Sequence, residues 1–124
     1  MDKLCFSEFE ADLKYHFSRV MNTPLAKPHW VYVSLSHTCN FNCRMCGVKN
    51  ILKEHTLDLW IVKKVLDDVA SWKNDAVVVL TGGEPFLYED IFKVIDHAVC
   101  AGVSIELVSN GSQIDSPQIA ERII

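Results

Sequence analysis

The sequence predicts an α/β protein with a parallel sheet, built from about three βα units behind an N-terminal helix. Three observations carry that prediction. Short runs rich in β-branched residues alternate with longer stretches whose apolar residues recur at helical spacing, the pattern of crossover-connected parallel strands. The run "AVVVLTGGEP" is apolar from its first residue through Leu80, as expected of a strand covered on both faces. The three least ordinary segments, "SHTCNFNC", "TGGEP" and "SNG", each follow a predicted strand. In such folds the carboxyl ends of the strands form one edge, and function gathers there.

Each element has its own signal. Phe6, Phe9, Leu13, Phe17 and Val20 make one apolar stripe over residues 6–21, which predicts a helix that packs on the domain. Residues 22–29, "NTPLAKPH", hold two prolines and read as a connector. "WVYVSLS" is the first strand. A helix is predicted from Thr56, as N-cap, to about Trp72, with Ile61, Val65, Leu66, Val69 and Trp72 turned inward. "AVVVLTGGEP" is the second strand, and "YEDIFKVIDHAVCAG" a second βα helix closed by Gly102. "VSIELVSNG" is the third strand. "SPQIAERII" opens another helix, with Ser116 as cap and Pro117 at the first helical position.

The bulk properties narrow the function. At 124 residues and 49% hydrophobic, the chain suits one domain with a real core. A net charge of −4 and the lack of any dense basic run argue against a nucleic-acid partner. No stretch has the length of a membrane span, and the acidic N-terminus lacks the apolar core of a signal peptide, so no membrane partner is expected. Five cysteines, three of them crowded together, do not resemble a secreted disulfide framework, which predicts a cytoplasmic location.

The crowded cysteines are Cys39, Cys43 and Cys46, spaced C-x-x-x-C-x-x-C. Thiolates take soft or borderline metals, so zinc and iron–sulfur are the serious choices. A structural zinc needs a fourth ligand, for which His37, His55, Cys5 and Cys100 are available; Cys100 reads instead as a small core residue of its helix. That choice gives a zinc-stapled α/β binding module without catalysis. An iron–sulfur cube held by three cysteines leaves one iron without a protein ligand, where a small chelating molecule can bind.

The order of motifs resembles the radical S-adenosylmethionine (radical SAM) superfamily. C-x-x-x-C-x-x-C after the first strand is similar to that family's signature, "TGGEP" at 81–85 to its second motif, and "SNG" at 109–111 to its frequent "TNG". The resemblance covers roughly residues 30–124. By wording, "SHTCNFNCRMC" and "LTGGEPFLYEDI" look most like the peptide-maturing and molybdenum-cofactor-like branch, whose members often carry a SPASM-type extension. The resemblance implies a partial (βα) barrel and a 4Fe–4S cluster on Cys39, Cys43 and Cys46. The open iron would be chelated by the amino and carboxylate groups of S-adenosylmethionine (SAM). Family chemistry is one-electron cleavage of SAM to methionine and a 5′-deoxyadenosyl radical, which takes a hydrogen atom from substrate.

The same resemblance sets roles for the other residues. Gly82 and Gly83 let backbone approach a ligand closely. Glu84 accepts from the methionyl ammonium. Ser109 and Asn110 face the SAM carboxylate or the substrate. Met45 stands where the family often has an aromatic near adenine, and a methionine can also pack on a ring. Arg44 stands beside the cluster. The implied partners are a small-molecule or peptide substrate and an electron donor such as flavodoxin or ferredoxin. The expected division is an N-terminal helix and connector at 1–29 and the N-terminal half of the radical SAM core at 30–124. A family core has about six βα units, so the chain is expected to be the N-terminal piece of a longer enzyme, or a truncated product, without turnover of its own.

Overall fold

The strand signals resolve into a small parallel sheet. A computed structural model of the chain describes residues 3–23, 25–48, 55–72, 75–115 and 117–122, leaving aside the side chains of 3–8, 11 and 118. The elements are α1 (Lys3–Met21), β1 (Trp30–Ser36), α2 (Leu59–Ser71), β2 (Val77–Gly82), a 3-10 turn (Pro85–Leu87), α3 (Ile91–Ala101), β3 (Ser104–Leu107) and α4 (Pro117–Glu121). The sheet order is β1-β2-β3, with both pairs parallel. This is the predicted alternation of helices and parallel strands.

Period-two alternation decides which side of the sheet is covered. In β1, Val33 and Leu35 are buried whereas Trp30, Tyr32 and Ser34 are exposed. Val33 and Leu35 meet Val78 and Leu80 of β2, Val62, Leu66 and Val69 of α2, and Val94 and Ala98 of α3 in one apolar cluster. Each large side chain buried there contributes about 1.5–3 kcal/mol. Helices α2 and α3 also touch each other, so both lie on that same face. Coverage of β2 on both faces was expected. Val78, Val79 and Leu80 are buried in succession, so side chains pointing to both faces of β2 are removed from solvent.

The helix ends show what the sequence signals meant. Gly102 closes α3 at φ 69°, a left-handed position, and its N–H donates back to the carbonyls of Ala98 and Val99. Pro117 is the first residue of α4, as expected; its predicted cap, Ser116, lies outside the described residues. The start of α2 differs from expectation. The N-cap is Asp58, and Thr56 instead forms an isolated antiparallel bridge with Ser36. The inward face is rotated to match: Val62, Leu66 and Val69 are buried, Val65 and Trp72 pack at the margin, and Ile61 lies outside the cluster.

Two core assignments are corrected. Cys100 is exposed on α3, because the face of that helix turned to the sheet runs through Ile91, Val94, Ile95 and Ala98, and position 100 falls outside it. The described part of the α1 stripe, Phe9, Leu13, Phe17 and Val20, is exposed. The side chains of Cys5 and Phe6 lie outside the described residues. Two cation–π contacts tie the periphery down: Lys27 Nζ lies 5.2 Å from the Trp72 ring centroid, and the Arg122 guanidinium 4.2 Å from that of Phe92.

The packing makes a direct prediction. Leu66→Ala removes a fully buried side chain and should destabilise the fold by about 2–5 kcal/mol. Cys100→Ser, at an exposed position, should stay within about 0.5 kcal/mol of the parent. Urea denaturation of both variants checks the contrast; equal losses would return Cys100 to the core.

Candidate functional site

The three strand exits meet at one edge, and glycine makes the meeting possible. The β1–β2 register shifts between Ser34 and Ser36, which sets Ser36 opposite Gly82. Gly82 has φ 126°, open only to glycine at little cost. A Cβ on Gly83 would fall on the carbonyl group of Thr38, and one on Gly82 on the carbonyl oxygen of Ser36. The close approach allows two backbone bonds: Gly83 N–H donates to Ser36 O and Glu84 N–H to Thr38 O, both at 2.8 Å. The partner these glycines approach in this structure is thus the start of the cysteine loop.

Glu84 ties in the third exit. It is 1% exposed, and its carboxylate accepts three hydrogen bonds. Phe86 N–H and the Ser109 hydroxyl donate to Oε1 at 3.1 and 2.8 Å. Asn110 N–H donates to Oε2 at 2.8 Å. Ser109 Oγ in turn accepts from Gly111 N–H at 2.9 Å. Glu84 and Ser109 therefore join the β2 and β3 exits before any ligand is considered. A carboxylate offers about four acceptor positions, so Glu84 retains about one.

The cysteine loop begins at this junction. Cys39 is half-buried, Cys43 and Cys46 are exposed, and all three thiols are free of disulfides. Phe41 N–H points at Cys39 Sγ at 3.4 Å, and Cys46 N–H donates to Cys43 O at 3.1 Å. Among the described residues, no three His, Cys, Asp or Glu side chains are gathered as a ready metal cage. Met45 projects from the loop, 96% exposed. On the other flank, the Tyr88 hydroxyl donates to Leu57 O at 3.0 Å and holds the approach to α2. Burial first, then Asp90 and Asp58, push the Tyr88 phenol above its usual range.

Among the described residues, cavities adjoin both ends of β1. One of about 370 Å³ adjoins this edge, between Ser36, Thr38, Thr56, Asp58, Tyr88 and Asp90. The larger, about 660 Å³, lies at the opposite end of β1 between α1 and the connector and contains none of the groups above.

The structure thus brings Cys39, Gly82, Gly83, Glu84, Ser109 and Asn110 to one edge. Asn40 and Ser112 were not singled out from sequence, yet they belong to the same edge. Asn40 Nδ2 donates to Ser112 Oγ at 2.7 Å, and Asn110 Nδ2 donates to Asn40 Oδ1 at 3.0 Å. The available signal was polar residues directly beside "C" and "SNG", which is common in any turn.

Fold and edge together define a class: a parallel α/β unit whose first strand exit carries a three-thiol loop facing a Gly-Gly-Glu exit. The profile of the radical SAM superfamily matches residues 33–124, and the chain belongs to that superfamily. It is 29% identical over 98 residues to an AdoMet-dependent heme synthase of Methanosarcina barkeri, covering 77% of this chain and 28% of that protein. It is 31% identical over 74 residues to a 7-carboxy-7-deazaguanine synthase of Halobacterium salinarum, covering 60% and 29% respectively. A S-adenosylmethionine-dependent nucleotide dehydratase of Selenomonas ruminantium is 24% identical over 90 residues, covering 72% and 32%. The chain spans about a third or less of the length of these curated relatives.

The junction predicts two stability effects. Gly83→Ala places a methyl on the Thr38 carbonyl and should cost about 1–3 kcal/mol or more. Gly47→Ala meets nothing within 4 Å and should be near neutral. Glu84→Gln turns one acceptor into a donor, so in either amide orientation a backbone N–H of Phe86 or Asn110 loses its acceptor. The expected cost is about 1–3 kcal/mol. Urea denaturation measures all three; a neutral Glu84→Gln would show that the carboxylate does not hold the exits together.

Proposed function

We propose that this chain carries the cluster- and SAM-holding part of a radical SAM enzyme, with Cys39, Cys43 and Cys46 as ligands of a 4Fe–4S cluster. The observation that carries the reading is the placement of three unpaired thiols in one short loop, hydrogen-bonded through its base to the second strand exit and adjoining the third. The donor set suits the group: soft thiolates, three in number, for a cube of four irons. Exposed Cys43 and Cys46 lie on a loop with few contacts and can turn toward a common centre, while Cys39 sits nearest the fixed base. When bound, such a cluster supplies the electron that cleaves the sulfonium of SAM, for which a flavodoxin- or ferredoxin-type donor is the proposed source.

The chain's own residues hold and orient. Glu84 keeps the second and third exits at fixed separation and offers its remaining acceptor position to the methionyl ammonium of SAM. Gly82 and Gly83 keep side chains out of the space between the first two exits. Met45, 96% exposed on the cysteine loop, would be available to pack on the adenine of SAM. Ser109 acts through Glu84, and Asn110 faces the loop. The substrate is a small molecule or a peptide, and the branch suggested by the motif wording belongs to the same proposal, as do the full barrel and turnover by the whole protein.

Anaerobic reconstitution with iron and sulfide should give a brown protein containing both. Cys43→Ala should lose most of the iron and the visible absorbance, whereas exposed Cys100→Ala should retain them. Zinc uptake with a featureless visible spectrum would replace this reading with the metal-stapled binding module. Equal iron in the Cys43 and parent proteins would remove the cysteine loop from the site.

A further inference from the structure

Asn40, Asn110 and Ser112 form a closed ring of hydrogen bonds between the cysteine loop and the β3 exit. Asn110 Nδ2 donates to Asn40 Oδ1 at 3.0 Å, Asn40 Nδ2 donates to Ser112 Oγ at 2.7 Å, and Ser112 N–H donates to Asn110 Oδ1 at 2.9 Å. The direction of the ring is set by its one backbone member. Ser112 N–H can only donate, so the Asn110 atom that faces it is the oxygen. The Asn110 amide nitrogen must then face Asn40, which turns the Asn40 oxygen toward it and leaves the Asn40 nitrogen for the Ser112 hydroxyl. No other amide orientation satisfies every member. The ring spans about seventy positions of sequence and stands directly beside Cys39, whose Sγ lies 4.0 Å from Asn110 Nδ2.

We propose that Asn40 is a positioning residue for the cysteine loop, acting through Asn110 and Ser112 to hold Cys39 against the fixed strand edge. The anchor runs deeper than the ring. Asn110 N–H is held by buried Glu84, so the tether passes from the loop through Asn110 to the β2 exit. Cys39 is in this way fixed from two sides: through Thr38 O by Glu84 N–H, and through Asn40 by Asn110. Cys43 and Cys46, beyond the tether, remain exposed. The loop therefore has one preset thiol and two adaptable ones. The tether exists without any cluster; its consequence for cluster retention rests on the function proposed above.

Two readouts separate the tether from that function. The first uses the metal-free full chain and measures site-resolved alkylation by iodoacetamide. Asn40→Ala and Asn110→Ala should each speed labelling of Cys39 by roughly 2- to 10-fold, the scale set by one or two side-chain hydrogen bonds. Labelling of Cys100 should not change. The double variant should be no faster than the faster single one, because both substitutions cut the same ring. Asn40→Gln, which keeps the amide, should bring the rate back to within about 2-fold of the parent. Unchanged Cys39 labelling, rates that multiply in the double variant, or a rise at Cys100 as large as at Cys39 would each overturn the tether. The second readout is cluster loss to an iron chelator after reconstitution, where the same variants should follow the same order. A chain that takes up no iron but shows the alkylation pattern keeps the tether and rejects the cluster reading. A chain that takes up iron with no dependence on Asn40 does the reverse.

Discussion

The buried carboxylate of Glu84 holds the functional edge together. A carboxylate removed from water costs several kcal/mol unless its oxygens are occupied. Here Phe86 N–H, the Ser109 hydroxyl and Asn110 N–H occupy it, and hydrogen bonds to a charged acceptor contribute about 1.5–3 kcal/mol each. Two of those donors belong to the β3 exit, and the backbone N–H of Glu84 itself bonds Thr38 at the β1 exit. One residue therefore fixes the relative positions of three loops that are distant in sequence. Its neighbours Gly82 and Gly83 serve the same end by having no side chain where the first two exits cross.

The apolar core works at a distance from this edge but decides where it lies. Val31 pairs with Val78 and Val33 with Leu80 across β1 and β2, and Val33, Leu35, Val78 and Leu80 bury against α2 and α3. A slip of one residue would turn these side chains to the exposed face, so the register is strongly set. Parallel strands in fixed register end together, which is why three exits meet at all. The cysteine loop adds little packing of its own: Phe41, Met45 and two of the three thiols are exposed. Low packing at the loop and high constraint at its base suit a ligand cage that completes itself around an incoming group.

The sequence made the strands and their exits legible because both are local signals. "WVYVSLS" and "AVVVLTGG" declare themselves by composition, and Gly102 and Pro117 mark helix ends through backbone chemistry that needs no partner. Features that depend on contacts between distant segments were not legible. Thr56 looks like a helix cap, yet a bridge to Ser36 claims it and Asp58 takes the cap position. Cys100 looks apolar, yet its exposure depends on which face of α3 turns to the sheet. Glu84 reads as a free carboxylate awaiting a ligand, whereas the fold brings Ser109 and Asn110 to it from twenty-five residues away or more. The Asn40 ring has no sequence signature beyond common turn residues, and only the closure of the edge creates it.

In the proposed function the edge is a cage with three protein thiolates for a cluster of four irons, which would leave one iron for SAM. Mössbauer spectroscopy of the chain reconstituted with iron-57, recorded with and without SAM, tests this most directly. Three ligands for four irons predict that about a quarter of the iron signal changes on adding SAM while the rest stays in place. A spectrum in which all iron is insensitive to SAM would contradict the account.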